Sequence, residues 1–149
     1  MEMTVEIASI GLLDKLVEIE EQCFSQEAFT KRQISYLLTD YNTIALVAKA
    51  NGEIAGFIIA QIEIEGSRLY GHIITINTAL SFRKKGIASK MLQEIETILK
   101  KKGIRECHLE VREDNYAALK LYLKNGYQQI GRLDRYYGKT HGLYFKKSI

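Results

Sequence analysis

Three side chains in this sequence are of types that move protons. Glu110 lies between Leu109 and Val111 in "LEVR", where a buried strand should be apolar, Tyr122 stands in "ALKLYLKNGY", and His72 stands in "YGHIITI". On a strand over 106–112 the period of two puts His108, Glu110 and Arg112 on one face and Cys107, Leu109 and Val111 on the other. A carboxylate there can take a proton from an amine, directly or through water, and imidazole is the side chain best matched to proton transfer near neutral pH. A phenol, with an ordinary pKa of about 10, can protonate a departing thiolate of similar basicity. Each residue also has a plainer reading. Glu110 could be ion-paired to Arg112 or a neighbouring strand, His72 could be a satisfied core or edge residue, and Tyr122 could fill the apolar face of a helix. His108 reads as structural.

A second cluster is suited to binding rather than proton transfer. Arg83-Lys84-Lys85-Gly86-Ile87-Ala88-Ser89 joins a strand-like run, "HIITIN", to a long helical pattern. A helix beginning there aims free N–H groups and the positive end of its dipole outward, and glycine lets an anion approach the backbone closely. The stretch is neither a Walker loop, Gly-x-x-x-x-Gly-Lys-Ser/Thr, nor a dinucleotide fingerprint, Gly-x-Gly-x-x-Gly. A solvated basic helix start is its plainer reading.

The elements that must position these residues follow from periodicity. "TVEIAS" alternates like a strand; "LLDKLVEIEEQCF" puts Leu12, Leu16, Ile19 and Cys23 on one helical stripe; "TKRQISYLLTD" is a second helix capped by Thr30. "TIALVAKANGEIAGFIIAQIEIE" is a hairpin turning at Asn51-Gly52. A fourth strand, "RLYGHIITINT", follows the turn at Glu65-Gly66-Ser67. A helix from Gly86 to Lys102 carries Ala88, Met91, Leu92, Ile95, Ile98 and Leu99 on a 3.6-residue period and stops at Gly103. "ECHLEVR" is a strand, "NYAALKLYLKN" a helix capped by Asn115 and stopped by Gly126, and "YQQIGRLDRYY" and "GLYFKKS" are closing strands. The order βααβββαβαββ predicts an α/β sandwich with a mixed, mostly antiparallel sheet. The crossover from Ile73 to Val111 makes strands four and five parallel.

Composition narrows the function. A chain of 149 residues with 46% hydrophobic residues is the size of one domain and can bury a full core. A net charge of +3, from 21 basic against 18 acidic residues, suits a small or local anionic ligand better than a run of nucleic-acid phosphates. The basic cluster has no aromatic stacking platform beside it, which weighs against RNA. Cys23 and Cys107 have no metal-like spacing and are expected to be buried thiols, so no metal is called for. The acidic N-terminal stretch is unlike a secretory signal, and no window approaches a membrane span, so a cytoplasmic protein is expected.

Arg-x-x-Gly-x-Ala after a strand, then "LEVR…N…A…LY…GY" and "RYY", resembles the GNAT family of acetyl-CoA-dependent N-acetyltransferases, in particular the RimI-type and archaeal branch that acetylates protein N-termini. The resemblance covers nearly the whole chain, 1–149, as one domain. It implies the GNAT fold with strands four and five splayed. It implies that the backbone of Lys84 to Ser89 (Lys84, Lys85, Gly86, Ile87, Ala88, Ser89), with Arg83 beside it, holds the pyrophosphate of acetyl-CoA. The pantetheine arm would lie along strand four, at Ile74, Ile76, Asn77 and Thr78, and touch Asn115. By the same resemblance Glu110 is the general base, with His72 able to share that duty, and Tyr122 is the general acid. Tyr136 and Tyr137 line the peptide N-terminus, and the "CFSQEAF" loop, through Phe24, Glu27 and Phe29, forms the opposite wall.

The implied partners are protein or peptide N-termini, with ribosome or nascent-chain association and oligomeric state left open; neither nucleic acid nor membrane is expected. Lysine ε-amines and small polyamines are the rival acceptors. Outside enzymes the rivals are a basic RNA-binding module and a CoA-sensing domain without turnover. The chain departs from its relatives at Gly138-Lys139-Thr140-His141-Gly142, where they usually continue acidic.

Overall fold

The computed structural model describes residues 2–24 and 27–149. The chain runs through strand β1 (Met3–Ile7), helices α1 (Leu13–Cys23) and α2 (Lys31–Thr39), and strands β2 (Thr43–Ala50), β3 (Glu53–Glu65) and β4 (Arg68–Thr78). Helix α3 (Ile87–Lys101), strand β5 (Glu106–Arg112), helix α4 (Tyr116–Lys124) and strands β6 (Gln128–Tyr137) and β7 (Thr140–Ser148) complete it, with single 3-10 turns at Ile10–Leu12 and Leu80–Phe82. This is the order that periodicity predicts. The strands form one seven-stranded sheet, β1-β2-β3-β4-β5-β7-β6, in which every pairing is antiparallel except that of β4 with β5.

Local chemistry accounts for the boundaries. Thr30 and Gln33 form a reciprocal capping box at the start of α2. Asn51 and Gly52 both adopt left-handed φ, 53° and 81°, as a two-residue hairpin turn requires. The Asn115 side chain accepts a hydrogen bond from the Ala118 N–H and so starts α4.

The core sits where the central strands are covered on both faces. Consecutive residues Phe57, Ile58 and Ile59 of β3 point alternately to the two faces, and all are fully buried. Met91, Leu92, Ile95 and Leu99 of α3 and Leu16, Ile19, Ile34 and Leu37 of α1 and α2 join them in one cluster. No helix among the described residues is long and apolar enough to cross a membrane.

Two features of β4 shape the site. Its parallel pairing with β5 is confined to Gly71 opposite Cys107 and His72 opposite His108, after which the strands part. In the same region the register with β3 moves from Ala60↔Ile73 to Ile59↔Thr75, which leaves Ile74 as a bulged residue. A bulge bends its strand and raises the local twist, so β4 turns away from β5 where their pairing ends.

β4 is held from both sides by close approaches that only glycine allows. A Cβ on Gly56 would lie 2.4 Å from the backbone oxygen of Asn77, and one on Gly71 would lie 2.6 Å from Leu99 Cδ1. Gly56→Ala is therefore expected to cost about 3 kcal/mol, because backbone must move, and Gly71→Ala only about 1 kcal/mol, because a leucine rotamer can yield. Urea unfolding of the two variants checks the difference; equal costs would show that β4 shifts as easily as a side chain.

Candidate active site

The parting of β4 and β5 opens a cavity of about 260 Å³. β4 contributes His72 and the bulged Ile74, β5 contributes Glu110, Val111 and Arg112, and α4 contributes Tyr122. The three proton-handling residues singled out in the sequence thus share one cavity. Of the two ionic partners open to Glu110, Arg112 or a neighbouring strand, the structure has the second: His72 Nε2 on β4 lies 2.9 Å from Glu110 Oε1. Arg112 bonds Asp114 at 2.9 Å and ion-pairs with Glu27 instead.

The imidazole has a second carboxylate. His72 Nδ1 lies 2.7 Å from Glu63 Oε2, and the other oxygen of Glu63 accepts a hydrogen bond from the Tyr70 hydroxyl at 2.9 Å. Burial alone would depress the His72 pKa, but the hydrogen bonds and charges of Glu110 and then Glu63 outweigh it and hold the ring above its ordinary value. Glu63 escaped the sequence reading. The signal was present in the hairpin register, which sets Gln61 opposite His72 and Glu63 opposite Tyr70, so that Glu63 reaches His72 diagonally.

Tyr122 is buried, its ring edge-on to Tyr127 at 5.8 Å, and burial, followed by the nearby Tyr137, raises its phenol. A phenol so held stays protonated and can serve as a donor. His108 is structural as expected: it stacks on Tyr70 at 4.0 Å, and its ring nitrogens meet Glu106 and Tyr144.

Glu20, the other residue missed, is a fully buried carboxylate on α1. Its oxygens accept hydrogen bonds from Thr75 Oγ1 and Asn77 Nδ2, each at 2.9 Å, and from the Phe29 N–H at 3.1 Å. It therefore ties the segment before α2 to the free stretch of β4. The clue in the sequence was an acid at i+4 from Leu16 and next to Ile19, inside an apolar stripe. Burial raises its pKa, and the three hydrogen bonds oppose that rise in part.

A groove of about 560 Å³ runs from the end of β4 to the start of α3 and past α4. Thr78, Arg83, Lys84, Gly86, Ile87, Ala88 and Ser89 line it, and Phe24, Ile76, Asn115 and Ala118 line both groove and cavity, so the two meet. Gly86 is the N-cap of α3 with φ 79° and no side-chain cap, and a Cβ there would meet nothing within 4 Å. With Lys84 also left-handed at φ 62°, this backbone is of the kind that forms anion-binding concavities, and the open space above it fits a phosphate group.

Some expected groups are otherwise engaged. Arg83 bonds the Thr78 carbonyl at 3.2 Å and Cys23 Sγ at 3.3 Å, and Lys85 lies 6.0 Å from the Phe82 ring centre, outside the groove lining. The Asn77 side chain turns inward to Glu20, which leaves its backbone at the groove. Cys23 is corrected too: it is half-buried and lines the groove, whereas Cys107 is buried and its thiol is pushed up to about 12 by desolvation.

Phe24, Glu27, Phe29, Tyr136 and Tyr137 also line the cavity; Ser25 and Gln26 of the first loop lie outside the described residues. The tyrosines meet edge-on at 4.9 Å. The register of β6 with β7 slips between Leu133 and Tyr137, Arg135 is left-handed at φ 53°, and its N–H donates to His141 Nδ1 at 2.9 Å. A Cβ on Gly142 would lie 3.1 Å from Tyr136, so the "KTHG" turn that departs from the family pattern supports the tyrosine pair through His141 and Gly142.

The model of the acetyltransferase (GNAT) family matches residues 13–127. The chain belongs to this family. It is 27% identical to the N-alpha-acetyltransferase of Sulfolobus acidocaldarius over 149 residues, 94% of this chain and 88% of that one. It is similar in fold to the ribosomal-protein-S18-alanine N-acetyltransferase of Escherichia coli, with a TM-score of 0.87 at 20% identity, covering 99% of this chain and 94% of the other. It also resembles a chain of a NatC complex bound to Gag peptide and CoA, with a TM-score of 0.90 at 22% identity, covering 100% and 99%. The GNAT fold expected from the sequence is the fold observed, splayed strands included.

Glu20 offers a direct test of how this GNAT site is braced. Glu20→Ala removes the acceptor shared by Thr75 Oγ1, Asn77 Nδ2 and the Phe29 N–H, with only Asn77 keeping a second acceptor in Thr75, and is expected to cost roughly 2–4 kcal/mol of stability, allowing for partial relaxation. Because the folded pKa of Glu20 is raised, its contribution is full below the unfolded value of about 4.3 and is lost as pH rises through the folded value. The stability of Glu20→Gln relative to the native chain should therefore improve from pH 5 to pH 8. Urea titrations at both pH values measure this, and a pH-independent difference would contradict it.

Proposed function

We propose that this acetyltransferase moves the acetyl group of acetyl-CoA to the N-terminal α-amine of a protein or peptide, with both substrates bound at once. The proposal takes residues 1–149 as one catalytic domain at work in the cytoplasm. The observation that carries it is the meeting of an anion-suited groove with a cavity lined by Glu110, His72 and Tyr122. The Sulfolobus relative, which spans nearly the same length, supports the α-amine as acceptor.

Acetyl-CoA supplies the electrophilic thioester carbonyl and the thiolate leaving group. Lys84 to Ser89 would hold its pyrophosphate on backbone N–H groups at the start of α3. Beyond His72, the edge of β4 that faces β5 has no strand partner among the described residues, so the backbone groups between Ile74 and Thr78 that point to that edge would serve the pantetheine amides and the thioester oxygen. Glu110, with His72 behind it, takes the amine proton. Tyr122 holds the proton that the sulfur needs.

The acceptor class follows from basicity and shape. An α-amine of pKa about 7.7–8.0 loses its proton far more readily than a lysine of about 10.4, and a carboxylate with an imidazole behind it suits the easier task. Tyr136 and Tyr137, with Phe24 and Phe29 opposite, make a slot that a chain end enters and an internal lysine must thread sideways.

Two measurements test the reading. In competition, a peptide with a free N-terminus and a blocked lysine should show the higher kcat/KM, compared with one whose N-terminus is blocked and lysine free; the reverse order, or reaction only with polyamines, would overturn the acceptor assignment. Glu110→Gln should keep acetyl-CoA binding and lose roughly 10²-fold in turnover near neutral pH, with partial recovery as solvent deprotonates the amine at higher pH. A deficit that stays constant from pH 7 to pH 9.5 would mean that Glu110 positions rather than deprotonates.

A further inference from the structure

The carboxylate on the outer side of His72 has no part in the reading above, although it makes the shorter of the two hydrogen bonds to the ring. Glu63 Oε2 lies 2.7 Å from Nδ1, and Glu110 Oε1 lies 2.9 Å from Nε2. Glu63 does not line the cavity, and its side chain is 31% exposed, against 17% for Glu110. Its second oxygen accepts a hydrogen bond from the Tyr70 hydroxyl at 2.9 Å, so both carboxylate oxygens are tethered.

We propose that Glu63 is a positioning residue that makes His72 the final acceptor of the amine proton, by keeping the Nδ1–H turned outward and Nε2 free to receive from Glu110. The proposal rests on α-amine acetylation as the reaction. In that reaction an ammonium group and a thioester become an amide, a thiol and one free proton: the N–C bond forms, the C–S bond breaks, one proton goes to sulfur and one must be stored. Glu110 receives the stored proton from the amine and passes it to Nε2, giving an imidazolium between two carboxylates. After the products leave, it returns through Nε2 and Glu110 to water.

The need for such a store is a matter of matching. A carboxylate of ordinary pKa about 4.3 is a poor resting place for a proton taken from an amine of about 7.7–8.0, whereas an imidazole of about 6.5 is much nearer. The two glutamates bring it nearer still, since they hold the ring above its ordinary value against the depressing effect of burial. A carboxylate on Nδ1–H that sets the tautomer and steadies the imidazolium is the arrangement known from hydrolase triads, here with a second carboxylate between the ring and the substrate. The other titratable groups around the cluster are Tyr70 on β4, Glu65 on β3, Tyr144 on β7, and Tyr136 and Tyr137 on β6.

Glu63→Gln removes the charge and lets an amide N–H compete for Nδ1. It is expected to leave KM for peptide and for acetyl-CoA unchanged, to lower kcat roughly 10- to 100-fold, and to move the acid limb of the kcat–pH profile to lower pH. Long-range proton–nitrogen NMR on the protein without acetyl-CoA gives a readout independent of turnover, and the chain has only 3 histidines to assign. His72 should titrate above about 6.5 in the native chain and lower in Glu63→Gln. Glu63→Ala, which opens space at a partly exposed position, should regain activity with added formate while Glu63→Gln does not. The proposal is overturned if Glu63→Gln keeps kcat and the His72 midpoint, or if the variants lose acetyl-CoA binding and formate restores nothing, the mark of a merely structural role. A native chain that fails to acetylate peptide α-amines would defeat the assigned reaction instead, and the NMR midpoints would still decide the link between Glu63 and His72.

Discussion

Everything functional in this molecule depends on the failure of two strands to stay paired. β4 and β5 are the one parallel pair, and after two registered positions they separate. A parallel pair is joined by a crossover rather than a tight turn, so its strands can part without breaking a hairpin. The bulge at Ile74 bends β4 away, and the close approach of Gly56 to Asn77 keeps the bent strand pressed against β3. Unpaired strand edges are a liability on a surface. Inside this split the edge of β4 becomes a row of hydrogen-bonding groups for an extended ligand, and the gap becomes the cavity.

The split has to be braced against collapse, and polar side chains do the bracing. Glu20 draws Thr75, Asn77 and the Phe29 N–H to a single buried carboxylate and so holds β4 and the segment before α2 at a fixed spacing. On the other side, Arg112 joins Glu27, Asp114 and Thr140, linking β5 to the same segment and to the last hairpin. Burying polar groups is costly unless they are satisfied, and both clusters are extensively hydrogen-bonded, with Asn77 Oδ1 left as a buried atom without a partner among the described residues. An apolar filling of equal volume would stabilise the sheet and close the site.

The sequence made the elements legible because each carried its own local signal: a capping box at Thr30, Asn51-Gly52 at a hairpin, Asn115 before α4. The stretch proposed to hold a phosphate stood out for the same reason, since it lies within seven consecutive residues. Harder to read were pairings between strands. Glu63 and His72 sit on adjacent strands, and only the full hairpin register shows that they touch. Cys23 looked like a core thiol on its stripe, but it falls on the last turn of α1, where the helix runs out beside the groove. Arg83 looked like a phosphate ligand, and backbone geometry instead turns it to the Thr78 carbonyl and that same thiol. Glu20 drew no reading at all, because a helical period fixes which face a residue takes and says nothing of the polar partners a neighbouring strand will bring to it.

Three carboxylates line the cavity, and what each one is bonded to decides which can act as a base. Glu27 is engaged in an ion pair by the Arg112 guanidinium, which carries its charge at every working pH. Glu20 is surrounded by donors, Thr75, Asn77 and the Phe29 N–H, that all belong to the frame, and none of them can take a proton onward. Glu110 alone is bonded to a group that can itself take up a proton. A proton arriving at Glu110 has somewhere to go, and one arriving at either of the others does not. The proposed base is thus the acid whose neighbour can carry its proton onward, rather than the one nearest to substrate, and beyond Glu110 that neighbour is the imidazole with Glu63 behind it.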